Sequence, residues 1–371
     1  MAPVVEAFKA DRNFKTILSV SAQHRSMLDQ VLKIFGLKAD FDMDIMRPGQ
    51  TLFDITGRVL KNFEPILEKW RPDLVMVHGD TTTTLAGALS AFYKRIPIGH
   101  VEAGLRTRDR YRPYPEEMNR HLTDALTTLH FAPTSFAEKC LREERIDSKN
   151  IFVTGNTVID ALFETVRKDL AFRNASLKKE VPALLKAGKK IILLTAHRRE
   201  NFGVPFQNVF SALRDLAERH PEVHWFYPVH PNPNVFGPAH RYLRGKSNFH
   251  LLPPLDYSDL VNLMRKSRIV VTDSGGLQEE APSLGKPVLV LREVTERPEA
   301  VRAGTVRLVG TNKNKIIREV SWLLKDRRHY SKMANAINPY GDGRAARRIL
   351  QGTKWYFGLT RAKPARFRIS R

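Results

Sequence analysis

The chain has 371 residues, 42% hydrophobic and 27% charged, a balance that supports two ordinary cores and excludes a disordered protein. Its one cysteine, Cys140, excludes an internal disulfide framework and any cysteine-based zinc site; with no leader pattern and no apolar run near the roughly 20 residues of a membrane span, a soluble cytoplasmic protein is expected. The formal net charge of +22 suits a polyanionic substrate such as a nucleotide diphosphate, and without a zinc finger, helix-turn-helix spacing or aromatic-basic signature it does not predict a nucleic-acid partner.

In chain order, residues 1–8 read as a helix. Apolar, β-branched runs follow at 15–20, 74–78, 96–101, 129–132 and 151–153, then at 191–195, 224–229, 249–252, 269–272, 288–291 and 306–309. Helical stretches separate them, and strands alternating with helices imply parallel sheets covered on both faces. Two such sets predict an α/β protein of two doubly wound, Rossmann-like domains facing across a cleft. The charged segment 167–190 reads as the crossover between them. From 351 to 371 there are six Lys or Arg residues and no acid, the pattern of a solvated or loosely docked tail.

Ligands of such sheets bind beyond the carboxyl ends of the strands. Asp80, Glu102, His197 and His230 each follow a predicted strand and fall at that end, which points to a shared active cleft. Another strand, Arg268-Ile-Val-Val-Thr272, runs into Asp273-Ser-Gly-Gly-Leu-Gln-Glu-Glu280, which reads as a tight turn and a helix over 277–284. Ser274, Gly275 and Gly276 would let bare backbone approach a ligand, and the open N–H groups of a helix start suit phosphate. Glu280 lies within reach of hydroxyls attached to that phosphate. The bland alternative is a Ser cap with a Gly turn.

Three carboxylates gather in the first half: Asp80, Glu102 and Glu116. Pro115 suits the first helical position, first-turn acids are stabilised by the helix dipole, and Arg120 is spaced to pair with Glu116. In the second half His197 is followed by Arg198 and Arg199, which suit pyrophosphate and leaving-group charge. Acids and bases without a nucleophile motif or metal set point to proton transfer at carbon and C–O cleavage. His78, His100, His197 and His230 lack metal-ligand spacing, so no metal is expected.

Several motifs together strongly resemble the non-hydrolysing bacterial UDP-N-acetylglucosamine 2-epimerases. They are Val77-His-Gly-Asp-Thr-Thr-Thr-Thr84, His100-Val-Glu-Ala-Gly-Leu-Arg-Thr107, Pro115-Glu-Glu-Met-Asn-Arg120, Gly155-Asn-Thr157, His197-Arg-Arg-Glu-Asn-Phe-Gly203, the run from Asp273 to Val288, Thr295-Glu-Arg-Pro-Glu299 and Asn338-Pro-Tyr-Gly-Asp-Gly343. The resemblance runs from Met1 to about residue 350 and leaves out the basic tail. It implies a GT-B-like fold with an N-terminal domain over 1–157, a UDP-binding domain over 158–343, a helix over 344–356 returning to the first domain, and a tail over 357–371. It also implies interconversion of UDP-GlcNAc and UDP-ManNAc through 2-acetamidoglucal and UDP, with no cofactor, in a cytoplasmic homodimer. Asp80, Glu102, Glu116 and His197 fall on the family's catalytic positions. Arg120 and Arg198 fall among the positions expected to bind the UDP-sugar, with Ser274, Gly275, Gly276 and Glu280, the last on the ribose.

The family opens with a strand and a Gly-Thr-Arg-Pro-Glu loop, and this sequence starts just after them, so the first domain is expected to lack its first strand. A GT-B glycosyltransferase using a UDP-sugar donor and a hydrolysing epimerase releasing ManNAc are the rival activities. A non-catalytic binding protein is the rival of another class.

Overall fold

Every ladder among the described residues is parallel, as near-continuous Val, Ile and Leu runs predict for strands buried on both faces. The computed structural model describes residues 1–22 and 25–369. The chain forms two units, Met1–Phe163 with Tyr340–Arg368, and Glu164–Pro339.

The first unit holds β1 (Ser19–Val20), β2 (Phe41–Asp42), β3 (Val75–His78), β4 (Ile98–Val101), β5 (Leu129–Ala132) and β6 (Ile151–Val153). β3 to β6 form one sheet in that order, whereas β1 and β2 form a separate pair. Among the described residues β1 takes its ladder partner only from β2, and β3 only from β4. Ser21, just after β1, and Thr83, in the helix after β3, still meet through their hydroxyls at 3.1 Å. The helix read at the start of the sequence is Ala2–Ala10, whose Val4 and Phe8 pack on Val101, Phe131 and Phe152.

The last helix, Ala345–Tyr356, joins this core through the fully buried Ile349. Burying that side chain contributes about 1.5–3 kcal/mol. Asp160 fixes the helix start by accepting the N–H groups of Ala345 and Ala346 at 3.1 and 2.9 Å. The basic tail, described as far as residue 369, is docked and not freely solvated. Phe367 is 5% exposed, its N–H donates to the Val153 carbonyl at 2.8 Å, and Arg366 pairs with Glu138.

The second unit carries β7 (Lys190–Thr195), β8 (Val223–Pro228), β9 (Phe249–Leu252), β10 (Ile269–Thr272), β11 (Val288–Val290) and β12 (Val306–Leu308). Their order is β9-β8-β7-β10-β11-β12, the doubly wound arrangement with its switch point between β7 and β10. Phe206, Phe210, Trp225, Tyr227, Val271 and Leu289 fill its core. The chain enters this unit inside the helix Thr157–Arg167, not along the charged segment, which folds instead as the helix Ala175–Lys186 with Leu177 and Val181 buried. No helix is long and apolar enough to cross a membrane among the described residues.

Candidate active site

In the first unit the three carboxylates sit at the carboxyl ends of β3 and β4 and at the start of the helix Glu116–Leu126. Asp80 follows Gly79, which adopts a φ of +71°. A Cβ on Gly79 would stand 3.2 Å from Glu102 Oε2, so only glycine lets the two strand ends close up without strain. Glu102 itself has a φ of +70°, a left-handed backbone that costs a non-glycine residue of order 1 kcal/mol or more and concentrates at functional sites. Its Oε1 accepts from Asn156 Nδ2 at 2.9 Å, and His78 Nε2 lies 3.7 Å from Oε2. Burial pushes the His78 imidazole well below its ordinary range, so it is neutral there. Glu116 Oε2 is buried without a hydrogen-bond partner, an acceptor whose desolvation is uncompensated in the free protein.

Arg120 does not pair with Glu116 as its spacing predicts. The i+3 neighbour Glu117 takes one guanidinium nitrogen, and Asp80 takes another at 2.6 Å. Burial works against the Glu117 charge, yet Arg120 outweighs it and holds that carboxyl below its usual range. Asn119 adds a bond to the Asp80 carbonyl at 2.9 Å. Pro115 is the helix cap and Glu116 the first helical residue.

A residue that no sequence motif singles out holds these segments together. Asp124, near the end of the same helix, accepts from His100 Nδ1 at 2.6 Å, Arg106 Nη2 at 2.7 Å and the Gly104 N–H at 3.2 Å. His100 Nε2 is 2.8 Å from the Gly79 carbonyl. Burial disfavours charge on His100, but Asp124 overcomes it and raises the imidazole above its ordinary value, so both ring nitrogens donate. One buried carboxylate thus ties the loops after β3 and β4 to the helix that carries Glu116.

In the second unit the switch-point strands are joined through Thr195 and Thr272, whose hydroxyls meet at 2.6 Å. Asp273, fully buried, accepts the N–H groups of His197 and Arg198 at 2.8 Å each, which fixes the loop after β7 against the turn after β10. The His197 ring stacks with His230 at 5.7 Å, and partial burial lowers its basicity against the pull of Asp273. Arg198 Nε is buried without a hydrogen-bond partner.

The helix after β10 is Gly275–Ser283, two residues earlier than the pattern predicts, and Ser274 caps it without a side-chain bond. Beneath the turn, Arg297 pairs with Glu296 and Glu279, and Arg292 with Glu296 and Glu200, so the Thr295–Glu299 motif is the buried support of the turn. Glu280 is 5% exposed and accepts from the Tyr257 hydroxyl at 2.6 Å, a partner that sequence reading misses.

Two Rossmann-like units, one with a bare-backbone turn at its switch point and the other with carboxylates at its strand ends, define a protein of the GT-B-like class. The family model described as UDP-N-acetylglucosamine 2-epimerase matches residues 6–354. A Yersinia pestis protein named UDP-N-acetylglucosamine 2-epimerase is 54% identical over 95% of this chain and 94% of its own. Among solved structures, a Staphylococcus aureus MnaA–UDP co-structure has a TM-score of 0.91 and 47% identity, covering 99% of this chain and 96% of that one. The Neisseria meningitidis UDP-GlcNAc 2-epimerase bound to UDP-GlcNAc has a TM-score of 0.89 and 47% identity, covering 95% of each chain. A Streptomyces nogalater glycosyltransferase, 13% identical with a TM-score of 0.61 over 95% of this chain and 94% of that one, shares the fold alone. The chain belongs to the UDP-N-acetylglucosamine 2-epimerase family.

Proposed function

We propose that this chain interconverts UDP-GlcNAc and UDP-ManNAc by inversion at C2. A proton leaves C2 as the bond from C1 to the UDP oxygen breaks, giving 2-acetamidoglucal and UDP. The alkene is then reprotonated at C2 on the opposite face and UDP returns to C1. The observation that carries this reading is the gathering of Asp80, Glu102 and Glu116 at adjoining strand and helix ends in a chain of this family.

The carboxylates do the acid–base work at C2, which needs groups able to take and give a proton in place. Arg120 holds Asp80 at 2.6 Å. His197 and Arg198 meet the departing phosphate, the backbone at Ser274, Gly275 and Gly276 meets the diphosphate, and Glu280 takes the ribose. The exposed aromatic surface at Phe92 and Tyr93 supports a homodimer, and the free, buried Cys140 agrees with a reducing cytoplasm.

Proton NMR of UDP-GlcNAc with the protein in D2O, without an acceptor, tests the reading. UDP-ManNAc with deuterium at C2 is the expected product. Free ManNAc would mean a hydrolysing enzyme, and unchanged substrate would leave a glycosyltransferase or a binding protein.

A further inference from the structure

Glu280 has a second side chain fastened to it. Tyr257, the first residue of the helix Tyr257–Lys266, donates its hydroxyl to Glu280 Oε1 at 2.6 Å. The other oxygen, Oε2, lies 3.7 Å from where a Cβ on Gly276 would stand, so it faces the Ser274-Gly275-Gly276 turn. The charged groups of the surrounding elements are committed elsewhere. Asp273 accepts from the loop after β7, Glu279 and Glu296 pair with Arg297, and Asp259 accepts the N–H groups of Arg173 and Asn174. Among the described titratable groups, only the Tyr257 hydroxyl bears on the Glu280 carboxyl.

We propose that Tyr257 is a positioning residue for nucleotide recognition, occupying Oε1 of Glu280 so that Oε2 is fixed toward the turn and free to accept from the hydroxyls of a ribose. This rests on the reading that Glu280 takes the ribose. A buried carboxylate with no cation beside it keeps its charge poorly. Burial pushes the Glu280 carboxyl up to about 7, and the Tyr257 hydroxyl pulls the other way, because a donor favours the ionised form. As pH rises through about 7 the carboxyl ionises and becomes the better acceptor for ribose hydroxyls. Without the tyrosine hydroxyl, the carboxyl keeps its proton to higher pH and the gain in affinity comes later.

The test is calorimetric titration of UDP and of 2′,3′-dideoxy-UDP into the full chain, the Tyr257→Phe variant and the Glu280→Gln variant, between about pH 5.5 and 8.5. Variants are compared at equal pH, so the nucleotide's own phosphate ionisation cancels. Tyr257→Phe is expected to bind UDP about tenfold more weakly near pH 7, the scale of one hydrogen bond to a charged group, and to recover toward the parent as pH rises. It should bind dideoxy-UDP as the parent does. Parent-like UDP binding by Tyr257→Phe at every pH, or an equal loss for both nucleotides at every pH, overturns the proposal. In the first case, a loss confined to Glu280→Gln would leave the ribose assignment standing. If UDP and dideoxy-UDP bind the parent equally and Glu280→Gln changes nothing, the ribose assignment falls and the proposal falls with it.

Discussion

The carboxylate of Asp273 holds His197, 76 residues away in sequence, in two ways: it accepts the His197 backbone N–H at 2.8 Å and stands 3.4 Å from ring nitrogen Nδ1. The residue that opens the turn after β10 therefore also sets the position and basicity of the histidine after β7. Asp273→Asn keeps an acceptor for the backbone but removes the charge that opposes burial of the ring. The His197 imidazole should titrate at a lower pH in that variant, read from its ring protons by NMR, and turnover should fall by about tenfold or more, the scale of one lost interaction with a charged group. An unchanged imidazole titration would confine Asp273 to a backbone role.

Asp80→Asn, Glu102→Gln and Glu116→Gln should each lower epimerisation by roughly 10²-fold or more, the usual contribution of a positioned acid or base. UDP affinity should change little, since the groups proposed to hold the nucleotide, Ser274, Gly275, Gly276 and Glu280, lie in the other unit. The measurement is C2 exchange beside calorimetry, and near-normal exchange in all three variants would remove the proton-transfer assignment.

The two glycines of the turn are not equivalent. A Cβ on Gly275 would meet Arg297 Nη1 at 2.7 Å and Glu296 Oε1 at 2.8 Å, inside a buried ion network, whereas one on Gly276 would meet only Glu280 Oε2 at 3.7 Å. Gly275→Val should therefore destabilise the protein by about 1–3 kcal/mol through overpacking, in addition to any loss of UDP, so it does not test the phosphate site cleanly. Gly276→Val should weaken UDP by about tenfold or more, as one phosphate hydrogen bond is displaced, with the melting temperature nearly unchanged. Parent-like UDP binding by Gly276→Val would mean that the turn is only a helix start.

Much of the fold was legible from local pattern. β5, β6, β9 and β10 fall where their apolar runs end, because a strand buried on both faces must be apolar throughout and a polar or turn residue stops it. β2, with only Phe41 and Asp42, is too short to leave such a pattern. The positions of Asp80, Glu102, His197 and Ser274 were legible for a related reason: each lies within two residues of the carboxyl end of a strand, the end at which parallel sheets present their ligand sites. The resemblance supplied the family, and the comparisons bear it out.

What a polar residue pairs with was decided by tertiary structure alone. On the helix Glu116–Leu126, Arg120 is spaced for Glu116 yet binds Glu117 and reaches across to Asp80, 40 residues back. Asp124 reads in sequence like any solvated helical acid, and only the folded chain surrounds it with His100, Arg106 and Gly104. Tyr257 and Glu280 meet only after β10 has run between their helices. Hydrophobic burial reads out locally because it depends on one residue and its period along the chain. A buried polar group must find partners once water is gone, and those partners come from whichever segments the packed sheets bring alongside.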